Sequence, residues 1–182
     1  MVGAASGAEF CMQAVSRKMT GKAYWLVSFL AIHLFPTIMV YLGSMSMLPV
    51  LEGKGRGLNS WDIVGSAVLF GSVIYAFVAD EQLRRFRNKS DNKGKTIRSG
   101  LWRISRHPNY LGEISTWWGL AFFAIAAACE NWWTLAGPAV ITIMFLFASI
   151  PMIEKRHLER REGYREYMKS TPMLLPINFR KR

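Results

Sequence analysis

The chain has 182 residues, 51% of them hydrophobic and 13% aromatic, with a mean hydropathy of +0.14 and a formal net charge of +11. That is the length of one domain. Its two cysteines, Cys11 and Cys129, have no metal-ligand spacing and set no disulfide framework, and no nucleic-acid motif accompanies the basic excess.

In chain order, the opening MVGAASGAEFCMQAV is weakly hydrophobic and has no basic start, unlike a signal peptide. Four runs without Lys, Arg, Asp or Glu follow, at residues 23–51, 63–79, 114–129 and 132–153. A spanning helix needs about 20 mostly apolar residues. The first and fourth runs reach that length, and the second and third are extended by flanking Trp61, Tyr110 and Leu111. The runs lack the polar face of helices that pack in a soluble bundle. The expected fold is all-α: a multi-pass transmembrane helical bundle of about four spanning helices plus a cytosolic C-terminal amphipathic helix. A cytosolic tail of residues 1–22 precedes a single membrane domain over residues 23–182.

Charge gives the orientation. Arg17, Lys18 and Lys22 lie in the tail, Lys54 and Arg56 between the first two runs, nine basic residues between 80 and 113, and nine between 154 and 182. Four spans put all but Lys54 and Arg56 on one side, which the positive-inside rule makes cytosolic. Both termini are then cytosolic. The basic excess is a matter of topology, and no nucleic acid is expected as a partner. The terminal FRKR suits an endoplasmic-reticulum arginine signal in a eukaryote or a plain juxtamembrane tail; in a bacterium the inner membrane is the expected location.

Three stretches on that face carry chemistry. ADEQLRRFR (79–87) leaves the second run and places Asp80, Arg84 and Arg87 at i, i+4, i+7, with Asp80 able to pair with Arg84. In GLWRISRHPNYLGE (100–113), Pro108 suits the first turn of a helix. The third helix should therefore begin there, its N-terminus drawing anions beside Arg103, Arg106 and His107. Asn109 and Glu113 are one turn apart on it, and Glu113 needs a partner at membrane depth. In EKRHLERREGYREY (154–167), helical spacing puts Glu154, His157, Arg161 and Tyr164 on one face, with Tyr167 a turn further. The first stretch also reads as a solvated helix end, the second as a structural network of His107 and Glu113 between helices, and the third as an interfacial amphipathic helix with snorkelling basic residues. Antiparallel helices with short connections bring the three together in one basic, aromatic-edged pocket, open to both cytosol and lipid.

These stretches, with the tail EKRHLERREGYREYMKSTPMLLP, resemble the steroid 5-alpha-reductase C-terminal-like domain family over residues 60–178. The family is similar in plan to isoprenylcysteine carboxyl methyltransferases and to sterol C14 and C24 reductases. The shared pattern falls on Arg106, His107, Pro108, Tyr110, Gly112, Glu154, Tyr164 and Tyr167. The resemblance implies NADPH in the reductases, or S-adenosylmethionine in the methyltransferases, held at the C-terminal helices and loops. The Asp80, Arg84, Arg87 helix and the Asn109, Glu113 pair resemble the reductase branch. The methyltransferases usually show paired glutamates where Lys155 follows Glu154 here.

The charge agrees with NADPH, because three phosphates need arginines and a helix N-terminus, whereas a sulfonium is better served by carboxylate and aromatic faces. The expectation is a membrane oxidoreductase that reduces a carbon–carbon double bond of a steroid, fatty-acyl or other lipophilic enone. Arg84, Arg87, Arg103 and Arg106 would clamp phosphates, and His107, Asn109 and Tyr110 would line the nicotinamide or ribose. Asp80, Glu113 and Glu154 would orient arginines or accept from ribose and carboxamide, with His157 and Tyr164 completing the site. The alternatives are a membrane methyltransferase using S-adenosylmethionine and a non-catalytic relative. The expected partners are a lipophilic small molecule and membrane lipid; the sequence sets no oligomeric state. Family members normally carry additional N-terminal helices that supply the carbonyl-polarising groups. One run precedes the family-like region here, so the catalytic acid is left open; Tyr24, His33 and Tyr41 are its candidates on that run.

Overall fold

The computed structural model describes residues 25–26, 29–52, 57–127 and 129–175. The expectations placed on the tail of residues 1–22, on Tyr24, Lys54 and Arg56, and on the terminal FRKR lie outside the described residues. All the regular structure described is helical. After a π-helical turn (Phe29–Leu34) come α1 (Phe35–Ser44), a 3-10 turn (Met45–Met47) and α2 (Leu48–Glu52). Then follow α3 (Ser60–Arg87), α4 (Pro108–Ala127), α5 (Ala136–Met144), α6 (Ile150–Arg160) and α7 (Tyr164–Ser170).

Among the described residues, two stretches, Ser60–Arg87 and Glu130–Arg160, are long and apolar enough to cross a membrane, not the four expected. The first run is broken. Its described part holds the shorter apolar stretch Thr37–Glu52, interrupted at Met45–Met47, and Pro49 sits in α2 with no N–H to extend a ladder. The third run does form a 20-residue helix, α4, but Asn109, Glu113, Ser115 and Thr116 dilute its apolar character. The fourth is continuous only through a 3-10 segment (Cys129–Leu135) and a π-helical turn (Phe145–Ser149).

The sequence starts α3 with a capping box. The Asn59 side chain accepts from the N–H groups of Trp61 (2.9 Å) and Asp62 (3.3 Å), and the Asp62 carboxylate accepts from the Asn59 N–H (2.9 Å). The Asn59 amide also donates to the Ala126 carbonyl (2.8 Å), tying the start of α3 to the end of α4.

These two helices pack along a stripe of small residues. A Cβ on Gly112 would lie 2.6 Å from the Ala76 Cβ and 2.9 Å from the Ser72 carbonyl oxygen; one on Gly119 would lie 2.9 Å from the Leu69 nitrogen. Between them the Ser72 and Thr116 hydroxyls are 2.9 Å apart. Small residues at sevenfold spacing let the backbones approach, and the hydroxyl pair satisfies polar groups in the seam. Ile114, Ile141 and Phe145 form the buried core beside it, flanked by Tyr110, Trp117 and Trp118.

Replacing Gly112 by Val should force the seam open and lower stability by about 1–3 kcal/mol. Gly71 faces open space, so Gly71→Ala should hold or raise stability by up to about 1 kcal/mol. Thermal melts of the detergent-solubilised protein read both; equal melting temperatures for the two variants would refute the close approach.

Candidate functional site

Glu154 is buried in the middle of α6. An ionised carboxylate there needs positive or donor partners. His107 supplies one: its Nε2 lies 3.0 Å from the Glu154 Oε1. Arg106 supplies a second, its Nε 3.3 Å from the same oxygen. That arginine contact is an ion pair without hydrogen-bond geometry, because Nε is buried and has no hydrogen-bond partner. Both residues stand just before Pro108, which opens α4 as its fixed φ predicts. The His107 ring stacks on Tyr110 (5.5 Å between centroids), and Tyr110 tilts against Phe145 (4.9 Å).

The C-terminal stretch closes the other side. The spacing argument treats Glu154, His157, Arg161 and Tyr164 as one helical face. Instead α6 ends at Arg160, and Gly163 turns the chain at φ +67°, a conformation open to glycine, to start α7. The side chains nevertheless stay together. His157 meets the Tyr164 ring edge-on (5.1 Å), and Tyr164 lies 5.8 Å from Tyr167. Tyr164 is only 2% exposed, and its hydroxyl, like the Arg106 Nε, has no hydrogen-bond partner. Burial, then the Glu154 charge, pushes the Tyr164 phenol well above its ordinary range, so it stays a donor at all working pH values.

Tyr167 is the clamp of this end. Its hydroxyl donates to the Trp102 carbonyl and lies 3.2 Å from the Ser105 carbonyl. The Arg106 N–H donates to the Pro172 carbonyl (2.9 Å) and the Ser105 hydroxyl to that of Met173 (3.4 Å). The loop before α4 is tied to α3 as well, through Trp102 Nε1 to the Ala79 carbonyl (3.0 Å) and the Leu101 N–H to Gln82 Oε1 (2.9 Å). Arg98 lies over the Tyr167 ring, 5.8 Å from its centroid. Tyr167 interacts with backbone carbonyls, which no side-chain pattern reveals; Gln82, Arg98 and Trp102 went unnoticed in the sequence for the same reason.

At the basic end of α3, the expected Asp80–Arg84 pair does not form. Arg84 and Arg85 both bind Glu81, with each Nε 2.6 Å from a carboxylate oxygen. Both arginines are solvent-exposed, so these pairs contribute little. Asp80 instead lies within electrostatic reach of Arg87, Tyr110 and Glu113. Glu113 is exposed on α4 and not enclosed by a partner arginine as expected. Arg103 is exposed on a 3-10 turn (Gly100–Arg103) and forms no ion pair with the cluster. Asn109 is half-buried in the first turn of α4. An open groove of about 610 Å³ runs along α3, lined by Phe77, Asp80, Leu83, Arg84 and Arg87 among others.

Arg87 links that groove to the C-terminal side. Arg87, Arg156 and Arg161 all act on His157, as does His107. Burial, then the charge of Arg87, and less strongly Arg156, lowers the Arg161 pKa. Ten of the expected site residues (Asp80, Arg87, Arg106, His107, Asn109, Tyr110, Glu113, Glu154, His157 and Tyr164) therefore gather where α3, α4, α6 and α7 end. Arg84 reaches only the groove, and Arg103 stands apart.

Over the described residues, fold and site define an all-helical protein with two helices long and apolar enough to cross a membrane and an arginine-, histidine- and tyrosine-lined cluster at their basic end. The chain belongs to a family described as a protein of unknown function (DUF1295), whose model matches residues 7–171. It is similar to an uncharacterized protein of the fission yeast Schizosaccharomyces pombe, 26% identical over 176 residues that cover 84% of this chain and 50% of the relative. The chain thus spans about half the length of the curated relative it matches. No solved structure matches it.

The Tyr167 phenol is pushed up to about 12 from 10.0 by burial. A folded-state pKa above the unfolded one means that the unfolded chain loses this proton first, between pH 10 and 12. Stability from this group should be complete below pH 10 and fall as pH rises through 12. Tyr167→Phe should lower stability by about 1–3 kcal/mol at neutral pH and flatten that alkaline slope. Urea melts from pH 8 to 12 test it; an unchanged slope in the variant refutes the buried clamp.

Proposed function

We propose that the chain is a multi-pass membrane reductase that takes NADPH at this cluster and saturates a carbon–carbon double bond conjugated to a carbonyl in a lipophilic substrate, of steroid or fatty-acyl type. On this reading the broken first run and α4 also lie in the bilayer, giving four spans with the cluster at the cytosolic surface. The resemblance of residues 60–178 to the steroid 5-alpha-reductase C-terminal-like domain family supports it.

The observation that carries the reading is that half-buried Arg161 lies within electrostatic reach of Arg87, beside His157 and the buried Tyr164. A half-buried guanidinium within reach of a like charge is disfavoured, and a polyanion relieves it. The donor set therefore fits a phosphorylated dinucleotide. Arg87 and Arg161 would hold phosphate, His107 and Tyr110 would present a stacked aromatic surface to the nicotinamide, and Asn109 would serve the carboxamide. NADPH, when bound, supplies hydride; the protein positions the acceptor and shields it from water.

One observation favours a second reading. Asp80 and Glu113 share the neighbourhood of Tyr110, and carboxylates beside an aromatic ring suit the sulfonium of S-adenosylmethionine. The membrane methyltransferase would use that corner of the cluster.

Thermal shift of the detergent-solubilised protein separates the two. NADPH should raise the melting temperature and S-adenosylmethionine should not. Arg87→Ala and Arg161→Ala should each weaken NADPH binding by tenfold or more, about the value of one charge-assisted contact. A shift with S-adenosylmethionine alone would establish the methyltransferase reading, and none with either would establish a non-catalytic relative.

A further inference from the structure

Among the described residues, one long face of α3 is left uncovered. The groove of about 610 Å³ is lined by α3 and its C-cap Asn88 alone. Phe77, Asp80, Arg84 and Arg87, at i, i+3, i+7 and i+10, lie on one side of the helix. The same side continues toward the middle of α3 as an apolar ridge. Phe70, Ile74 and Phe77 are 67%, 62% and 69% exposed, and a Cβ added to Gly71 would meet nothing. From Phe70 to Arg87 the stripe runs along about 25 Å of helix. Its chemistry changes once, apolar through Phe77 and charged from Asp80 on. Residues 80–89 set Arg84, Arg85, Arg87 and Lys89 against Asp80 and Glu81. Glu81 is already neutralised by Arg84 and Arg85. Arg87 enters no salt bridge with a described residue and has Asp80 as the carboxylate within electrostatic reach.

A soluble anion would leave the phenylalanines in contact with nothing, and a purely apolar partner would leave the arginines unanswered. A second copy in the same membrane shares the orientation of the first and would set one basic helix end against another. An amphiphile with an anionic head suits both ends of the stripe. We infer that this face of α3 binds one anionic phospholipid of the cytosolic leaflet, with its phosphate at Arg84 and Arg87 and an acyl chain along Phe77, Ile74 and Phe70. The inference rests on α3 crossing the membrane and not on the reductase chemistry. Guanidinium groups hold phosphate through charge-assisted hydrogen bonds, and basic residues at a helix end gain from anionic lipid at the membrane surface. The chain contacts are weak for any lipid, because bilayer tails are as apolar as the ridge, so the headgroup carries the selectivity. Arg87 also reaches the histidine cluster. Lipid phosphate and a polyanion at that cluster therefore compete for it.

The test reconstitutes the full chain in phosphatidylcholine vesicles without cofactor. Two photoreactive lipids with the same diazirine-bearing acyl chain, one a phosphatidylglycerol and one a phosphatidylcholine, are added at equal trace content. Adducts are mapped by mass spectrometry of peptides. Phosphatidylglycerol should label residues 70–88 about tenfold more than phosphatidylcholine does. Arg84→Gln and Arg87→Gln should each cut that labelling about fivefold and leave the phosphatidylcholine level unchanged. Unlabelled phosphatidylglycerol should displace the probe, and soluble glycerol phosphate should not. Equal labelling by the two headgroups would mean ordinary bilayer contact and overturns the site. Displacement by glycerol phosphate overturns it in favour of a soluble phosphate ligand. Labelling of α3 by neither lipid takes the helix out of the bilayer, which sinks the membrane placement along with the site. None of these outcomes depends on whether NADPH binds.

Discussion

A carboxylate near the end of an apolar helix must be neutralised, and the way Glu154 is neutralised organises everything around it. Its partners come from the residues that open α4, so the first turn of that helix is anchored to α6. The backbone beside those partners is anchored in turn, with Arg106 bound to Pro172 and the Ser105 carbonyl next to Tyr167. One buried charge thus connects the loop, two helices and the C-terminal segment. Removing both partners would leave a buried charge uncompensated, which typically costs about 3–5 kcal/mol. Arrangements of that kind hold their geometry because every alternative is worse.

The run Arg106 to Glu113 does two jobs at once because a helix repeats every 3.6 residues. Arg106, His107 and Tyr110 look toward α6 and α5, while Gly112 looks at Ala76 and Ser72 of α3. The glycine in the family-like pattern is therefore a packing residue. It brings the α3 backbone close enough for Asp80 and Arg87, at the end of that helix, to approach the histidine cluster. Packing and site are coupled here through one helix face each.

Much of this was legible in the sequence, and the reasons for the exceptions are physical. Proline has a strong local preference, so the start of α4 at Pro108 could be read directly. The charge-free runs marked apolar helices, but composition does not report where Met45–Met47 would tighten to a 3-10 turn. Periodicity placed Glu154, His157, Arg161 and Tyr164 together by assuming one helix; Gly163 breaks that helix, and the turn returns Tyr164 to the same neighbourhood. Asp80 and Glu81 are both within reach of Arg84 by spacing, and the side-chain rotamers decide between them. The open donors of Arg106 and Tyr164 could not be seen in advance, because being unpartnered is a property of packing.

The number of basic residues and their placement have different causes. Positive-inside bias accounts for an excess of Lys and Arg beyond helix ends and is met by residues that reach water, as Arg84 and Arg85 do. It gives no reason for Arg161 to sit half-buried within electrostatic reach of Arg87, where burial and like charge both disfavour its ionised form. A chain selected only for topology would let those side chains spread. Arg161 held half-buried beside two buried tyrosines and a buried histidine, within electrostatic reach of Arg87, is a costly placement in the isolated protein. It becomes favourable with a counter-charge in place, and the largest mobile counter-charges a cell offers to such a site are phosphorylated ligands.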